Sequence, residues 1–583
     1  MHMNHTSLAR GSAVFALLFA RAVFATLTVT APGAGSSTIA AGDDFATQVI
    51  GDAWDMNNAQ DIDTDESASL NSQTFSGGVF SAVDPEATGG CSLAFFPLFM
   101  GYGTQTVAIA RGQKFAINTG VYRYFTMKIK ATPGAAAETN RILFFQNGDR
   151  LNIGSSTFGS VTPNVWNIQT WDFNTDIFVN ATYTAWTALG SVRGIEVAMC
   201  NNGSPNIQVD WIRVTAPPTA AQMFNVTWND TGGASTYTIT AIDADNARFT
   251  FASGVGGTAY VADFSRLAPG DYHVEVKRAD NTTAISSGVV HINVPPQVNI
   301  SAPSERGEQA LSYALTEQGT QWGPISAADF KSLVNFKNIS YTNPSGSFSG
   351  RPTNNDPEFI MNTTGHAIDA SYYRSACFTL EVFGPRSVGG GSIARLFWGV
   401  SSAAVSTTTD IVLGNGLVEY CMADLADSAA VPLVGGSPQP WSGNLGYFRF
   451  DPDELTPPMG CATPQTCHDV RLDSIVVAPF AAADPSYTVQ WTINDSDFVS
   501  GGSAQLLLDT DHTFGNGNEI PLATVGYSVG SYTFIPAAHA NVASGTYNLV
   551  ILADDGRNSV AHYAGGPIVV HSDLIFRNGF EGP

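Results

Sequence analysis

Charge is scarce in this chain. Asp, Glu, Lys and Arg make up 13% of its 583 residues, against roughly 25% in an average soluble domain. The charge present is one-sided: 26 Lys and Arg face 50 Asp and Glu, a formal net charge of -24. No basic cluster occurs, which excludes the phosphate-facing stripe of a nucleic-acid binder; no nucleic acid is expected as a partner. Histidine is missing from residue 6 to residue 272. A Ser-His-Asp or Cys-His centre is therefore excluded from that stretch, and later would have to be built around His366 or His468. HExxH and GxSxG do not occur. Beyond the N-terminus no run is apolar and long enough to span a membrane, so the mature chain is expected to have no transmembrane segment.

In place of charge stand 57 Gly, 30 Pro and many small polar residues. This composition lacks the Glu, Lys and Leu of good helices and favours short strands joined by turns. The run "GSAVFALLFARAVFATLTVTAPGAG" after Arg10 reads as a secretory signal peptide, cleaved after Ala25 or nearer Ala40. The alternative is an uncleaved anchor, which Arg21 inside the run disfavours. Export places the protein outside the cell or on its surface. The six cysteines fit that oxidising compartment. If disulfides stay within each half of the sequence, three connectivities remain. The pairing expected is Cys91–Cys200, Cys377–Cys421 and Cys461–Cys467.

A cassette occurs twice. "FATQVIGDAWDMNNAQDI" from Phe45 aligns without a gap on "YALTEQGTQWGPISAADF" from Tyr313, matching Gly51 to Gly319, Trp54 to Trp322 and Asp61 to Asp329. Further landmarks follow in the same order: "AINTGVYR" and "AIDASYYR", then Trp186 and Trp441, then "VDWIRV" and "LDSIVV". A second pair of segments also repeats, "FNVTWND" with "YTVQWTIND" and "LAPGDYHVEV" with "VASGTYNLVI". A duplicated pair of modules explains the order, since only loop lengths drift. Alternating segments such as "YFTMKIKA" and "YHVEVKRA" read as strands with one face to a core. The expectation is an all-β protein whose modules follow the order A-B-A′-B′: leader 1–40, jelly-roll module A 41–218, smaller module B 219–298, linker and jelly roll A′ 299–480, small module B′ 481–571 and a tail 572–583. "ERGEQALSYAL" is expected to form a short helix, with few helices elsewhere.

In its size and in the closing "VDWIRV", module A resembles the jelly-roll carbohydrate-binding modules and galactose-binding-like domains of extracellular bacterial proteins. A′ does so less well, with Ser474 in place of Trp211. B and B′ have the length and strand spacing of immunoglobulin or fibronectin type III-like domains. The tail "DLIFRNGFEGP" resembles a short ending of exported Gram-negative proteins and implies processing or sorting. In the jelly-roll families the closing-strand Asp helps hold a structural calcium, which assigns Asp210 and Asp473 to that role. The signature E-x-D-x-x-E of jelly-roll glucanases is absent.

Calcium is the cofactor that the acidic run "GDAWDMNNAQDIDTDES" implies, because close-set oxygen ligands suit it; the alternative is a solvated acidic loop. Asp52 and Asp55 become Thr320 and Gly323 in the second copy, whereas Asp61 persists as Asp329. A site common to both copies is confined to Asp61, Asp210, Asp329 and Asp473. The loop "DTDHTFGNGNE" lacks the EF-hand glycine and reads as a hairpin loop. Trp54, Trp186, Trp322 and Trp441, equal in both copies, read as core. Sugar-stacking rings are sought among aromatics that differ between copies: Trp166, Trp171, Tyr183 and Trp398. The function expected is non-catalytic binding of a polysaccharide, cell-surface glycan or matrix. The alternatives are a structural stalk or assembly subunit without a ligand, and a polysaccharide-degrading enzyme of unrecognised family.

Overall fold

A computed structural model describes residues 26–571 except 64–69, 84–89, 99–114, 133–137, 147–153, 179–183, 202–205, 234–235, 324, 343–345, 384–392, 403, 409–410, 414–415, 428–432, 435–438, 454–459 and 499. The protein is an all-β array of sandwiches, and among the described residues the helical segments are short turns, one of them Tyr313–Gln318 within the segment expected to be helical. Among the described residues, four separate apolar cores form, one per sandwich.

The two large sandwiches share a sheet order. In the first, strands run Asn167–Asp172, Tyr124–Thr132, Asn206–Thr215, Val79–Val83, Asn71–Ser76 across the five-stranded sheet. In the second the order is Val418–Met422, Tyr373–Val382, Val470–Pro479, Ser347–Pro352, Phe336–Thr342. The repeated cassette has one job in both: it seats a Trp in the core. Gly51 and Gly319 end a short helical turn at φ 80° and 75°, a left-handed geometry that glycine adopts without steric cost, and their N–H groups bond Ala46 and Ala314. The backbone then turns inward at Trp54 and Trp322, which are 1% and 2% exposed. Their carbonyls accept from Ile212 and Ile475 of the closing strands at 2.9 and 2.8 Å. Phe45 and Tyr313 lie 5.9 and 5.4 Å from the two indoles. Trp186 and Trp441 donate to the carbonyls of Tyr122 and Tyr373 at 2.9 and 2.8 Å. The arginines of the paired motifs grip equivalent partners, Arg123 to Asp172 and Arg374 to Asp424.

The small sandwiches also match. Trp228 and Trp491 lie in their cores, and the tyrosines of the "L-x-x-G-x-Y" turns, Tyr272 and Tyr547, donate to Ala268 and Ala543 at 3.0 and 3.1 Å. Their boundaries differ from the linear division expected. Leu27–Ala31 pairs antiparallel with Met223–Asp230, and Ser36–Ile39 pairs in parallel with Val289–Ile292. The segment assigned to a leader up to residue 40 thus supplies two strands of the first small sandwich. Gln297–Ala302, assigned to a linker, likewise pairs with Tyr487–Asn494. Each large sandwich is therefore inserted into a small one. The reason is backbone hydrogen bonding: these segments would leave a row of unmet donors and acceptors at a sheet edge if removed. Residues 1–25 and 572–583, the apolar start and the tail, lie outside the described residues.

Candidate ligand-binding cleft at the module junction

The strand Tyr124–Thr132 of the first large sandwich turns Phe125, Met127 and Ile129 into its own core. Its opposite face is covered by the first small sandwich, so Lys128 on that face is only 4% exposed. An ammonium so placed needs partners. It finds three carboxylates: Asp210 at 2.7 Å from the neighbouring strand, and Asp243 and Asp245 at 2.8 and 2.6 Å from a turn of the small sandwich. Burial opposes the charge on Lys128, but the hydrogen bonds to Asp210, Asp243 and Asp245 outweigh it and its pKa is raised. Across the register from Lys128 stands Trp211, whose ring enters the core of the small sandwich. Arg213 completes the seam by donating to the carbonyls of Leu267 and Gly42.

Beside this seam opens a cleft of about 470 Å³. Its walls carry Asp55, Lys128, Asp210, Asp243 and Asp245, with Trp54 and Tyr272 between them, and Pro295, Gln297 and Ser496 close one end. Asp55 is held above the ordinary carboxylate range, first by burial and further by the charge of Asp52. The half-buried ring of Trp166 lies 5.3 Å from the Lys128 ammonium and 5.8 Å from that of Lys130. The second small sandwich is tied on by His291, whose ring nitrogens meet Asp271 at 2.7 Å and Asp497 at 2.9 Å. The cleft wall offers fixed carboxylate acceptors, which can bond the hydroxyls of a polyol, while Trp166 is not among the residues that line it.

The expected calcium ligands are spread over several places. Asp61 is fully buried. Its counterpart Asp329 is buried too and accepts from the Ser326 N–H at 2.5 Å, capping a turn. Asp52 accepts from Asn58, and Asp55 from the Asn57 N–H. Asp210 is engaged by Lys128 and Asp473 by Arg471 at 2.9 Å. Among the described residues no three His, Cys, Asp or Glu gather as a metal would need. The loop at Asp509–Glu519 satisfies itself: Asp511 accepts from Thr513, Asn516 and Asn518, and Glu519 from Gly515 and Gly517.

The aromatic assignments need correcting. Trp171 and Trp398, expected as exposed stacking rings, are 3% and 0% exposed and belong to the two large cores. Their indoles donate to Thr157 and Gln439 carbonyls. A ring that differs between copies can still be core, because each copy fills its own volume. Of the four, Trp166 alone is placed at a surface; Tyr183 lies outside the described residues. Sequence reasoning missed Lys128, which shares the polar face of its strand with Tyr124, Thr126 and Lys130 and so reads as an ordinary solvent-facing lysine. Cys377–Cys421 and Cys461–Cys467 pair as expected. Cys200 is disulfide-bonded, and the side chain of Cys91 lies outside the described residues.

No family model matches the sequence, and no curated protein matches it. Among solved structures, the protein is similar to the N-terminal CBM22-1-CBM22-2 tandem domain from Paenibacillus barcinonensis Xyn10C, at 10% identity, covering 76% of this chain with 98% of that one, TM-score 0.18. It is similar to the β-1,2-glucanase from Parabacteroides distasonis at 12% identity, covering 38% of this chain with 34% of the glucanase, TM-score 0.16. The FN1–FN3 domains of chicken CNTN1 match at 11% identity, covering 59% of this chain with 94% of theirs, TM-score 0.10. The match thus spans about a third of the glucanase's length. The likenesses are to β-sandwich proteins, carbohydrate-binding modules among them.

Proposed function

We propose that this is an extracellular, non-catalytic glycan-binding protein and that its ligand sits in the cleft between the first large and small sandwiches. The observation that carries this reading is the set of three carboxylates from two modules, fixed around one ammonium in the cleft wall. Acceptors immobilised before binding cost little ordering entropy when sugar hydroxyls dock. The disulfides Cys377–Cys421 and Cys461–Cys467 support an oxidising compartment, and no helix among the described residues is long and apolar enough to cross a membrane. Under the export reading, cleavage after Ala25 keeps both N-terminal strands, whereas a cut near Ala40 would remove them. Binding is proposed not to require calcium, because Asp210 and Asp473 already face a Lys or Arg of the same molecule.

A glycan array probed with the protein from Thr26 onward, with and without EDTA, tests the reading. Binding that survives EDTA and falls about tenfold in Asp245→Asn, at one of the three carboxylates of the cleft wall, supports it, a loss within the range of one hydrogen bond to a charged group. An array with no bound glycan in either condition would overturn it and leave a structural spacer.

A further inference from the structure

One contact of the first unit has no counterpart in the second. The turn that seats Trp54 is covered by the second small sandwich, whose edge strand Ser559–Tyr563 pairs with Gly545–Asp554. Gln48 donates to the Ser559 carbonyl at 3.3 Å, and the Asn558 amide pairs with both backbone groups of Ala41 at 3.3 Å. The His562 ring lies so close over Gly51 that any side chain there would collide with it. At the matching turn of the second large sandwich, no described atom stands within 4 Å of where a side chain on Gly319 would begin. Leu315 takes the place of buried Thr47 there, one turn before the glycine and on its face, and is 36% exposed. Leu311, just before that helix, is 45% exposed. The edge of the first small sandwich that matches Ser559–Tyr563 is Thr283–Ile285, paired with Gly270–Arg278, and its Ile285 is 55% exposed. The two halves have changed together: the covered contact is made by Gln, Asn and His, whereas the open halves carry Leu, Leu and Ile. Scattered exposed apolar residues are ordinary, but these fall on both halves of one contact.

We infer that the face around Gly319 receives the Thr283–Ile285 edge of a second copy of this chain. Ile285 lies against Leu311 and Leu315, which takes all three from water. The bare Gly319 backbone lets the strand approach as closely as Ser559–Tyr563 approaches Gly51 within the molecule. The contact joins two different surfaces, so each chain keeps one half of either kind for a further copy. Such a head-to-tail contact closes into a ring or runs on as a filament. The formal charge of -24 on every chain opposes the approach, and salt screens it, so association strengthens as salt is raised.

Sedimentation velocity tests this on the protein from Thr26 onward, free of the apolar N-terminal run, from about 1 to about 200 µM in about 0.15 M salt. The mean mass is expected to climb with concentration to about twofold that of one chain or more. Leu315→Asp and Ile285→Asp, both at exposed side chains, should each hold the mass at one chain while the urea midpoint stays that of the parent. Should Leu315→Asp fail to fold, Leu311→Asp takes its place. An equimolar mixture of the two variants should form two-chain particles and nothing larger, because each retains one sound half. A parent protein that stays at one chain over the whole range overturns the inference. Loss of association in Leu315→Asp but not in Ile285→Asp overturns it too, since the leucine face would then meet its own copy. A mixture of the variants that does not pair overturns it as well.

Discussion

In the first unit Lys128 stands across from Trp211; at the same register in the second unit stand Thr379 and Ser474, joined by a 3.0 Å hydroxyl bond. One step along, Arg213 faces Thr126, while its counterpart Val476 faces Cys377. Inside, the two large sandwiches keep the same indoles on the same carbonyls. Outside, one has a charged, aromatic seam against its small sandwich and the other a disulfide from Cys377 to the next strand at Cys421. Duplication kept what packing requires and let the outer face of the last strands diverge. That face is where the cleft lies, so a difference between copies marks the candidate site better than the shared cassette does.

The contrast can be broken from either side. Removing the Cys377–Cys421 bridge, which closes 44 residues, is expected to cost the second large sandwich about 4 kcal/mol, against about 2 kcal/mol for Cys461–Cys467 with its separation of 6. Paired Cys→Ala variants read by urea unfolding check this; equal losses would contradict it. Lys128→Met leaves three carboxylates facing one another and should cost the first unit about 3 kcal/mol. Thr379→Val, which removes one hydroxyl pair, should cost about 1 kcal/mol or less. Comparable effects of the two would mean that the seam in the first unit is no stronger than a hydroxyl contact.

The smallest effect expected is one of pH at the joint between the small sandwiches. Burial works against a charged His291, but its bonds to Asp497 and Asp271 prevail and its pKa is raised. Asp495, facing Asp497, Asp555 and Tyr527, is pushed up to about 6 by burial and by Asp497. Asp497 itself is lowered: burial is outweighed by bonds from Val294 and His291. A raised histidine contributes stability that is full below its unfolded value near 6.5 and is lost as pH climbs through the folded one. The raised Asp495 acts in the same sense. The joint should therefore be tighter near pH 6 than near pH 9, seen as a more compact particle by X-ray scattering. His291→Gln should flatten the difference; an unchanged pH profile in that variant would remove the histidine from the account.

The repeat and the all-β class were readable because core periodicity is local. Trp54 and Trp322 sit at a fixed distance from a turn glycine, and Trp186 and Trp441 keep one partner each. The insertion of large sandwich into small was not readable, because Leu27 pairs with Asp230 and Gln297 with Asn494, far beyond any sequence window. The apolar strand Leu27–Ala31 also continues the hydrophobic run of the N-terminus and so merges with it. Trp171 and Trp398 misled for a different reason: a large ring unique to one copy is equally what a core of different shape demands. The junction cleft arises from docking between modules, which no local pattern encodes.

Hydrogen exchange on the full-length protein tests the nested architecture most directly. The account predicts that amides of 27–31 and 36–39 are protected together with 223–230 and 289–292, and those of 297–302 with 487–494, each set exchanging as one unit. Exchange of 27–39 at the rate of a free peptide, while 223–230 stays protected, would contradict it.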